Sequence, residues 1–571
     1  MSWIDWLVLI ITLLGTLVYG IWKSRGQRNI GDYFLNSGPL PWYIILFSIM
    51  ATQASAITFL SAPGQAYTDG MRFVQYYFGL PLAMVVLCVT FLPLFHRLKV
   101  FTAYEFLETR FDQKTRTLTT ILFLLQRGVS TGISVYAPSI ILSALLGWNI
   151  YWTNIFMGGI LIIYTVMGGT KAVAYTQKLQ LLIIFAGMFL AGWIVVRLLP
   201  PGVSFTDALH VSGKMGKLNV IVTKINITQK SWWQDKYNIW SGTIGGFFLA
   251  LSYFGTDQSQ VGRYLTGRSL KESRIGLLMN GIVKVPMQFL ILLIGALLFV
   301  FYRFYSAPVF FNDNALAKVY QTSYSGDMHQ LSHQYRLLDS VQKKEVYALV
   351  NALHRRDPAA EAGAQSALKL TQVRAALVRQ QAVGLIKKAD SGADTDDTNY
   401  IFLHFVRDYL PKGLVGLLIA VIFLATWGST SATLNSLASA TMIDIHMRFF
   451  KKNGSPGYNL KASKWWTLFW GMFCIGVAQF AQGLGSLIQA VNILGSLFYG
   501  TMLGIFLVAF YGKKIGGTAV FWSAILSELM VIGIYRANLV SFLWLNAAGC
   551  LLVIGIAWTF HMGRRLVRYN Q

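Results

Sequence analysis

Cysteine, charge and acid are all scarce in this 571-residue chain. The three cysteines, Cys88, Cys474 and Cys550, each fall inside an apolar run, which excludes a disulfide framework or a metal motif and leaves packing as their role. Charged residues supply only 12% of the sequence against 55% hydrophobic, and mean hydropathy is +0.51, a balance that excludes a soluble enzyme. Catalytic signatures are absent as well: there is no phosphate loop ending in Gly-Lys-Ser/Thr, no HExxH pair and no GxSxG elbow, so the chain is not read as an enzyme. None of the eight histidines sits in the middle of an apolar run, His404 and His446 lying near run ends. A proton-coupled pathway therefore lacks its usual titratable group.

What is present is a series of apolar segments from Trp3 to His561. Read as runs of about 18 residues or more, they predict an all-α polytopic membrane protein with about thirteen transmembrane helices. The helices are expected to start near Trp3, Trp42, Phe73, Leu118, Tyr151, Leu179, Trp240, Ile275, Phe402, Lys464, Leu487, Thr518 and Val540. The net charge of +25 would suggest nucleic acid in a soluble protein, but here it is concentrated in alternate loops. Those loops carry Lys23, Arg25 and Arg28; Arg97 and Lys99; Arg263, Arg268, Lys271 and Arg274; Arg448, Lys451 and Lys452; Lys513 and Lys514; and Arg564, Arg565 and Arg568. The positive-inside rule then predicts an N-out, C-in topology, with no nucleic-acid partner and a lipid bilayer as the surroundings. Met1 to Lys23 lacks a basic start and a small-residue cleavage site, so it is expected to remain as the first span.

No linker or low-complexity tract divides residues 1–571, and one membrane domain is expected. Residues 303–400 form a polar extracytoplasmic insertion between spans eight and nine, with helical pattern in Gln334 to Ala352 and Ala359 to Lys388. It reads as a tolerated insertion, since lengthening a surface loop costs little. Gly392 to Thr398 (GADTDDT) reads as an acidic turn back to the membrane, and Asn226-Ile227-Thr228 as a chance spelling of a glycosylation sequon in a bacterial chain.

Two polar interruptions carry the functional argument. Gly428 to Ala440, GSTSATLNSLASA, places seven hydroxyl or amide side chains within an apolar span. Polar groups at that depth are satisfied by neighbouring helices, water, an ion or a solute; small residues also serve as packing seams, and both readings stand for one such stretch. The second stretch, Ala51 to Gly64 (ATQASAITFLSAPG), interrupts the span that begins at Trp42. A further irregular helix, Ile239 to Phe254, is glycine-rich and ends in SYFGTDQSQ, five spans after the broken one. Irregular helices in corresponding places of two halves point to an inverted-repeat transporter with a midplane site. Carbonyls released by an unwound helix, facing Ser and Thr hydroxyls, offer the oxygen ligands that Na⁺ requires. Among the intramembrane charges, Lys284 and Arg127 are candidates for solute binding or for helix pairing, and Glu528 lies outside the expected core.

At ATQASAITFLSAPGQAYTDG (Ala51 to Gly70), GGTKAVAYTQKLQ (Gly168 to Gln180), GTDQSQVGRYLTGRS (Gly255 to Ser269) and GSTSATLNSLASATMIDI (Gly428 to Ile445), the sequence resembles the sodium:solute symporter family. The family includes sodium/glucose, multivitamin, iodide, proline and sialic acid transporters. The resemblance covers nearly the whole chain except Tyr302 to Asn399. It implies a five-plus-five inverted-repeat core (LeuT-like), with Na⁺ between the first and eighth core helices. The implied ion ligands are the carbonyls of Ala51, Ala54 and Ala425 and the Ser429 hydroxyl. Many relatives carry Ser-Ser where this chain has Gly428-Ser429. Where members with an additional sodium site carry Asp, Gln177 follows Tyr175-Thr176, which implies one coupled sodium. The implied solute positions are Gln53, Ser55, Thr58, Phe73 and Tyr77, with Tyr253 as an inner-gate aromatic, Lys284 at a family lysine, and Arg127 as a partner for a solute carboxylate. The function implied is Na⁺-coupled import of a small polar solute, a sugar or acidic sugar such as sialic acid, across a bacterial inner membrane. Another organic anion or a vitamin-like solute is the alternative. A sensor or a channel ranks lower, and no obligate protein partner is implied.

Overall fold

A computed structural model describes residues 1–24, 40–98, 100–223, 232–452 and 454–569, and among these the chain is helical with no named strand. Arg25, Arg28 and Lys99 of the basic clusters and the Asn226-Ile227-Thr228 sequon lie outside the described residues. The principal helices are α1 (Trp3–Ser24), α2 (Trp42–Gln53), α3 (Ala56–Asp69), α4 (Leu80–Val89), α5 (Gln113–Leu146), α6 (Ile150–Arg197), α7 (Gly246–Thr256) and α8 (Leu270–Phe304). Then come α9 (Ser325–Arg355), α10 (Pro358–Ala389), α11 (Thr398–Tyr409), α12 (Leu414–Ala440), α13 (Pro456–Gln479), α14 (Leu487–Tyr511), α15 (Gly517–Arg536) and α16 (Phe542–Tyr569).

Among the described residues, ten helices are long and apolar enough to cross a membrane, or eleven if α2 and α3, bent by 62° at their junction, make one span. α6 contributes two of the ten windows, Ile150–Met167 and Thr176–Arg197. The other two segments expected as spans are helical but stand outside that set. Near Trp240 the chain makes a π-helical segment, Ser241–Gly245, that leads into the short α7, and the Lys464 region is α13. The span expected from Phe402 begins instead at Leu414. Pro411 and Gly413, the latter at φ 88°, separate it from α11.

The α2–α3 break has a local cause. The Ser55 N–H donates to the Gln53 carbonyl at 3.1 Å instead of reaching back to Ala51, and the Thr58 N–H returns to the Ser55 carbonyl at 2.9 Å. The carbonyls of Ala51 and Ala54 thereby lose their i+4 partners inside the protein interior. α12 packs beside this break and is buried along almost its whole length.

On one face of the bundle the insertion is docked rather than loosely tethered. α9 and α10 extend beyond the helical patterns legible in the sequence and form a hairpin, turned at Arg356 in left-handed backbone and capped by Asp357. Arg303 at the end of α8 donates to Gln342, Lys214 pairs with Glu361, and His354 lies 3.0 Å from Asp207. Next to it, Asn399 clasps two stretches of chain. Its Oδ1 accepts from Ser61 Oγ (2.7 Å) on α3 and from the Leu487 N–H (3.3 Å), and its Nδ2 donates to the Gly485 carbonyl (2.9 Å). A Cβ at Gly64 would fall 1.9 Å from the Thr398 carbonyl, so only glycine permits this approach of α3. On the opposite face, Arg116 is buried and joins Asp444 and Glu108, while Thr102 Oγ1 donates to Asp444 at 2.8 Å.

The acidic turn 392–398 gives a pH prediction. Burial pushes the Asp394 carboxyl from 3.8 up to about 7. The folded chain then keeps a proton that the unfolded chain releases, so this group's contribution to stability falls as pH rises from about 4 to about 7. Between pH 5 and pH 7.5 the parent is expected to lose more melting temperature than Asp394→Asn. Equal losses in the two proteins would rule this out.

Candidate functional site

The polar interruptions converge on one cavity of about 120 Å³. The break contributes Thr52, Gln53, Ser55 and Thr58, and the polar band of α12 contributes Ser429, Thr430 and Thr433. α5 adds Arg127, Ser130, Thr131 and Ser134, whose i, i+3, i+4, i+7 spacing sets them on a single helix face. Tyr76, Tyr77, Gln126, Tyr253, Asn492 and Tyr499 add further polar groups to the wall.

One side chain joins break to band. Gln177 Nε2 donates to Thr52 Oγ1 (3.2 Å) and to the Gly428 carbonyl (2.9 Å), and its Oε1 accepts from Ser48 Oγ (2.8 Å). All three groups of the bridge are buried, so these bonds form where water does not compete. Ser429 Oγ lines the cavity and donates to the carbonyls of Ala425 (2.8 Å) and Thr426 (3.3 Å). Gly428 has a packing reason of its own: a Cβ there would lie 2.6 Å from Gln180 Oε1, so a second serine at this point would displace Gln180. The two carbonyls released at the break and the Ser429 hydroxyl are oxygens of the type that a hard monovalent cation accepts.

Arg127 is in the cavity wall but already has a protein partner. Its Nε lies 3.6 Å from Asp257 Oδ2, its guanidinium stands 5.5 Å from the centre of the Tyr253 ring, and Nη2 reaches Thr433 Oγ1 at 3.5 Å. Asp257 is the residue at which the second irregular helix breaks. With extended backbone between α7 and the short helix Gln258–Tyr264, it caps the Ser259 N–H (2.8 Å) and accepts from Tyr499 OH (2.8 Å). Gln260 Nε2 donates to Tyr253 OH at 2.6 Å and holds that ring against the arginine.

Of the residues expected to meet solute, Gln53, Ser55, Thr58, Tyr77, Arg127 and Tyr253 line the cavity; Phe73 and Lys284 do not. Phe73 stacks on Tyr76 at 5.5 Å and meets Tyr77 edge-on at 6.1 Å, which orders the cavity wall from behind. Lys284 is fully buried, with Nζ 5.8 Å from the Tyr77 ring centre, and it shares one face of α8 with Asn280 and Gln288. Of the expected ion ligands, Ser429 lines the cavity, while Ala51, Ala54, Ala425 and Gly428 are buried and are not among its lining residues. Sequence reasoning missed Thr52, Ser130, Thr131, Ser134, Asp257 and Tyr499. The four-residue polar face of α5 was visible in QRGVSTGIS as a spacing, and Asp257 as the one acid in SYFGTDQSQ.

A model described as the sodium:solute symporter family matches residues 33–324 and 370–527, leaving out only part of the insertion between them. A sodium/sialic acid symporter of Proteus mirabilis (strain HI4320) is 25% identical over 97% of this chain and 94% of its own length. A sodium-coupled monocarboxylate transporter of Xenopus laevis is 24% identical over 88% of this chain and 67% of its own; this chain spans about two thirds of the length of such animal relatives. A solved Na⁺-coupled sialic acid symporter in a substrate-bound outward-open state aligns with TM-score 0.74 at 22% identity, over 98% of both chains.

Proposed function

Since the chain belongs to the sodium:solute symporter family, whose members are transporters rather than enzymes, we propose that it imports a small polar solute by coupling it to an inward Na⁺ gradient through the cavity between α2–α3 and α12. The observation that carries this reading is the Gln177 bridge, which ties Thr52, just before the break, to Gly428 at the head of the polar band through one buried side chain. Sodium would meet the Ala51, Ala54 and Ala425 carbonyls and Ser429 Oγ, with Gly428 held close by Gln177. Solute would meet Gln53, Ser55, Thr58, Tyr77 and Arg127, with Tyr253 closing the cavity. Phe73 and Lys284 act through Tyr77. Ion and solute in adjacent positions raise each other's affinity by the same factor. About thirteen spans, an N-out, C-in topology and a place in a bacterial inner membrane complete the proposal.

The solute is proposed to be a sugar or an acidic sugar. Most Arg127 donors lack a strong protein acceptor, which leaves the guanidinium able to receive a carboxylate, while hydroxyls and amides dominate the remaining polar wall. Gln177 adds no negative charge, and a single coupled sodium follows.

The test is uptake into proteoliposomes from a panel of labelled sugars, sugar acids, vitamins and amino acids under imposed Na⁺, K⁺ or pH gradients. Uptake of an acidic sugar with sodium alone, and a sodium Hill coefficient near one, is expected. Equal uptake in K⁺ would refute the coupling ion, and a Hill coefficient clearly above one would refute the stoichiometry.

A further inference from the structure

A second cavity, apart from the central one, bears chemistry that the proposed function does not use. A cleft of about 490 Å³ opens on the insertion-bearing face, between the α5–α6 turn and the residues at either end of the α9–α10 hairpin. Sites for small organic ligands fall in this size range, with mainly apolar or aromatic walls and a few convergent polar groups. The cleft belongs to a different face of α5 from the central site: Tyr136, Ile140 and Ser143 line it, whereas Arg127, Ser130, Thr131 and Ser134 line the central cavity.

Its walls carry a definite chemistry. The only charged residues are Lys318, Asp390 and Asp394, and Lys318 Nζ pairs with Asp390 at 3.0 Å, which leaves Asp394 as the uncompensated group. Asp394 is 95% buried, and it accepts one hydrogen bond, from the Asp396 N–H to Oδ1 at 3.1 Å. Among the described residues its Oδ2 has no protein donor. Two buried tyrosines in the same wall, Tyr136 and Tyr400, likewise make no hydrogen bond through their phenols to a described residue. At the mouth, Trp148 and Tyr151 are about half exposed. A carboxylate on a residue this deeply buried is costly to ionise unless a cation or a donor reaches it through the cleft. Aromatic rings around it favour a weakly hydrated organic cation over a small metal ion. The described residues contain no cluster of three or more acidic, histidine or cysteine side chains able to hold a metal.

We propose that this cleft is a second binding site, taking a small organic cation whose ammonium group meets Asp394 and whose carbon surface meets Trp148 and Tyr151. The site differs from the central one in sign, since the charged group lining the central cavity is Arg127 and the uncompensated group here is a carboxylate. It also depends on the insertion, which supplies Lys318, Asp390 and Asp394. The acidic turn and the hairpin then have a use beyond a tolerated lengthening of the chain.

Choline is a suitable probe, measured by equilibrium binding to the purified full chain in sodium-free buffer at pH 8, where Asp394 is ionised, with methyl glucoside and acetate as neutral and anionic comparisons. Saturable choline binding is expected, weakened at least tenfold in Asp394→Asn and severalfold in Trp148→Ala, with sodium-driven solute uptake retained in both variants. Three results would overturn the site: no choline binding by the parent, equal binding by Asp394→Asn, or Asp394-dependent binding of methyl glucoside in place of choline. If Asp394→Asn does not purify folded, Trp148→Ala at its exposed position decides, and unchanged choline affinity there refutes the proposal.

Discussion

Arg127→Ala is expected to reduce uptake to background and to destabilise the protein as well. Asp257 would be left buried without its counter-charge, and removing one partner of a buried pair costs about 3–5 kcal/mol. Tyr499 and the Ser259 N–H would still donate to Asp257, but neither carries charge. The double variant Arg127→Met/Asp257→Asn separates the two effects. It removes both charges, and asparagine can still cap the Gln258–Tyr264 helix. Its melting temperature is expected to return most of the way to the parent's while uptake stays at background. Uptake retained by Arg127→Ala would take the residue out of the solute path, and a double variant no more stable than the single would show that Asp257 does not depend on the arginine.

Ser429→Ala is expected to raise the sodium concentration for half-maximal uptake by roughly ten- to a hundredfold, since a ligand of hydrogen-bond strength to a charged group is worth about 1.5–3 kcal/mol. Stability should change little, because the protein acceptors of the hydroxyl are carbonyls of its own helix. Sodium titration of uptake at fixed solute decides the matter. An unchanged half-saturation would mean that Thr430, Thr426 or a backbone oxygen supplies the contact. Thr430 is the nearest such substitute, a cavity-lining hydroxyl that makes no hydrogen bond in the structure.

The helical, membrane-spanning architecture was legible because a span is a local property: its length and hydropathy are read from consecutive residues. The break at Ala54-Ser55 was legible for the same reason, since polar residues interrupting an apolar run leave a mark in the sequence. The site itself is less local. Gln177 joins partners 125 and 251 residues away, and no spacing rule connects them. Arg127 illustrates the same limit from the other side. Its polarity could be read, but its partner Asp257, 130 residues on, becomes visible only in the folded chain. The start of α12 was misplaced because the apolar character of α11 runs on up to Pro411, and composition alone does not mark where a helix turns.

The Asn399 clasp has a consequence for the kinetics of opening. Both ends of one amide are engaged, and its partners sit on two stretches of chain far apart in sequence, α3 and the loop leading into α14. Moving α3 away from the loop before α14 therefore cannot release these bonds one at a time without stranding a buried donor or acceptor, at about 1–3 kcal/mol for each. Half-released arrangements are penalised, so this side of the molecule behaves as a latch with two positions rather than as a spring.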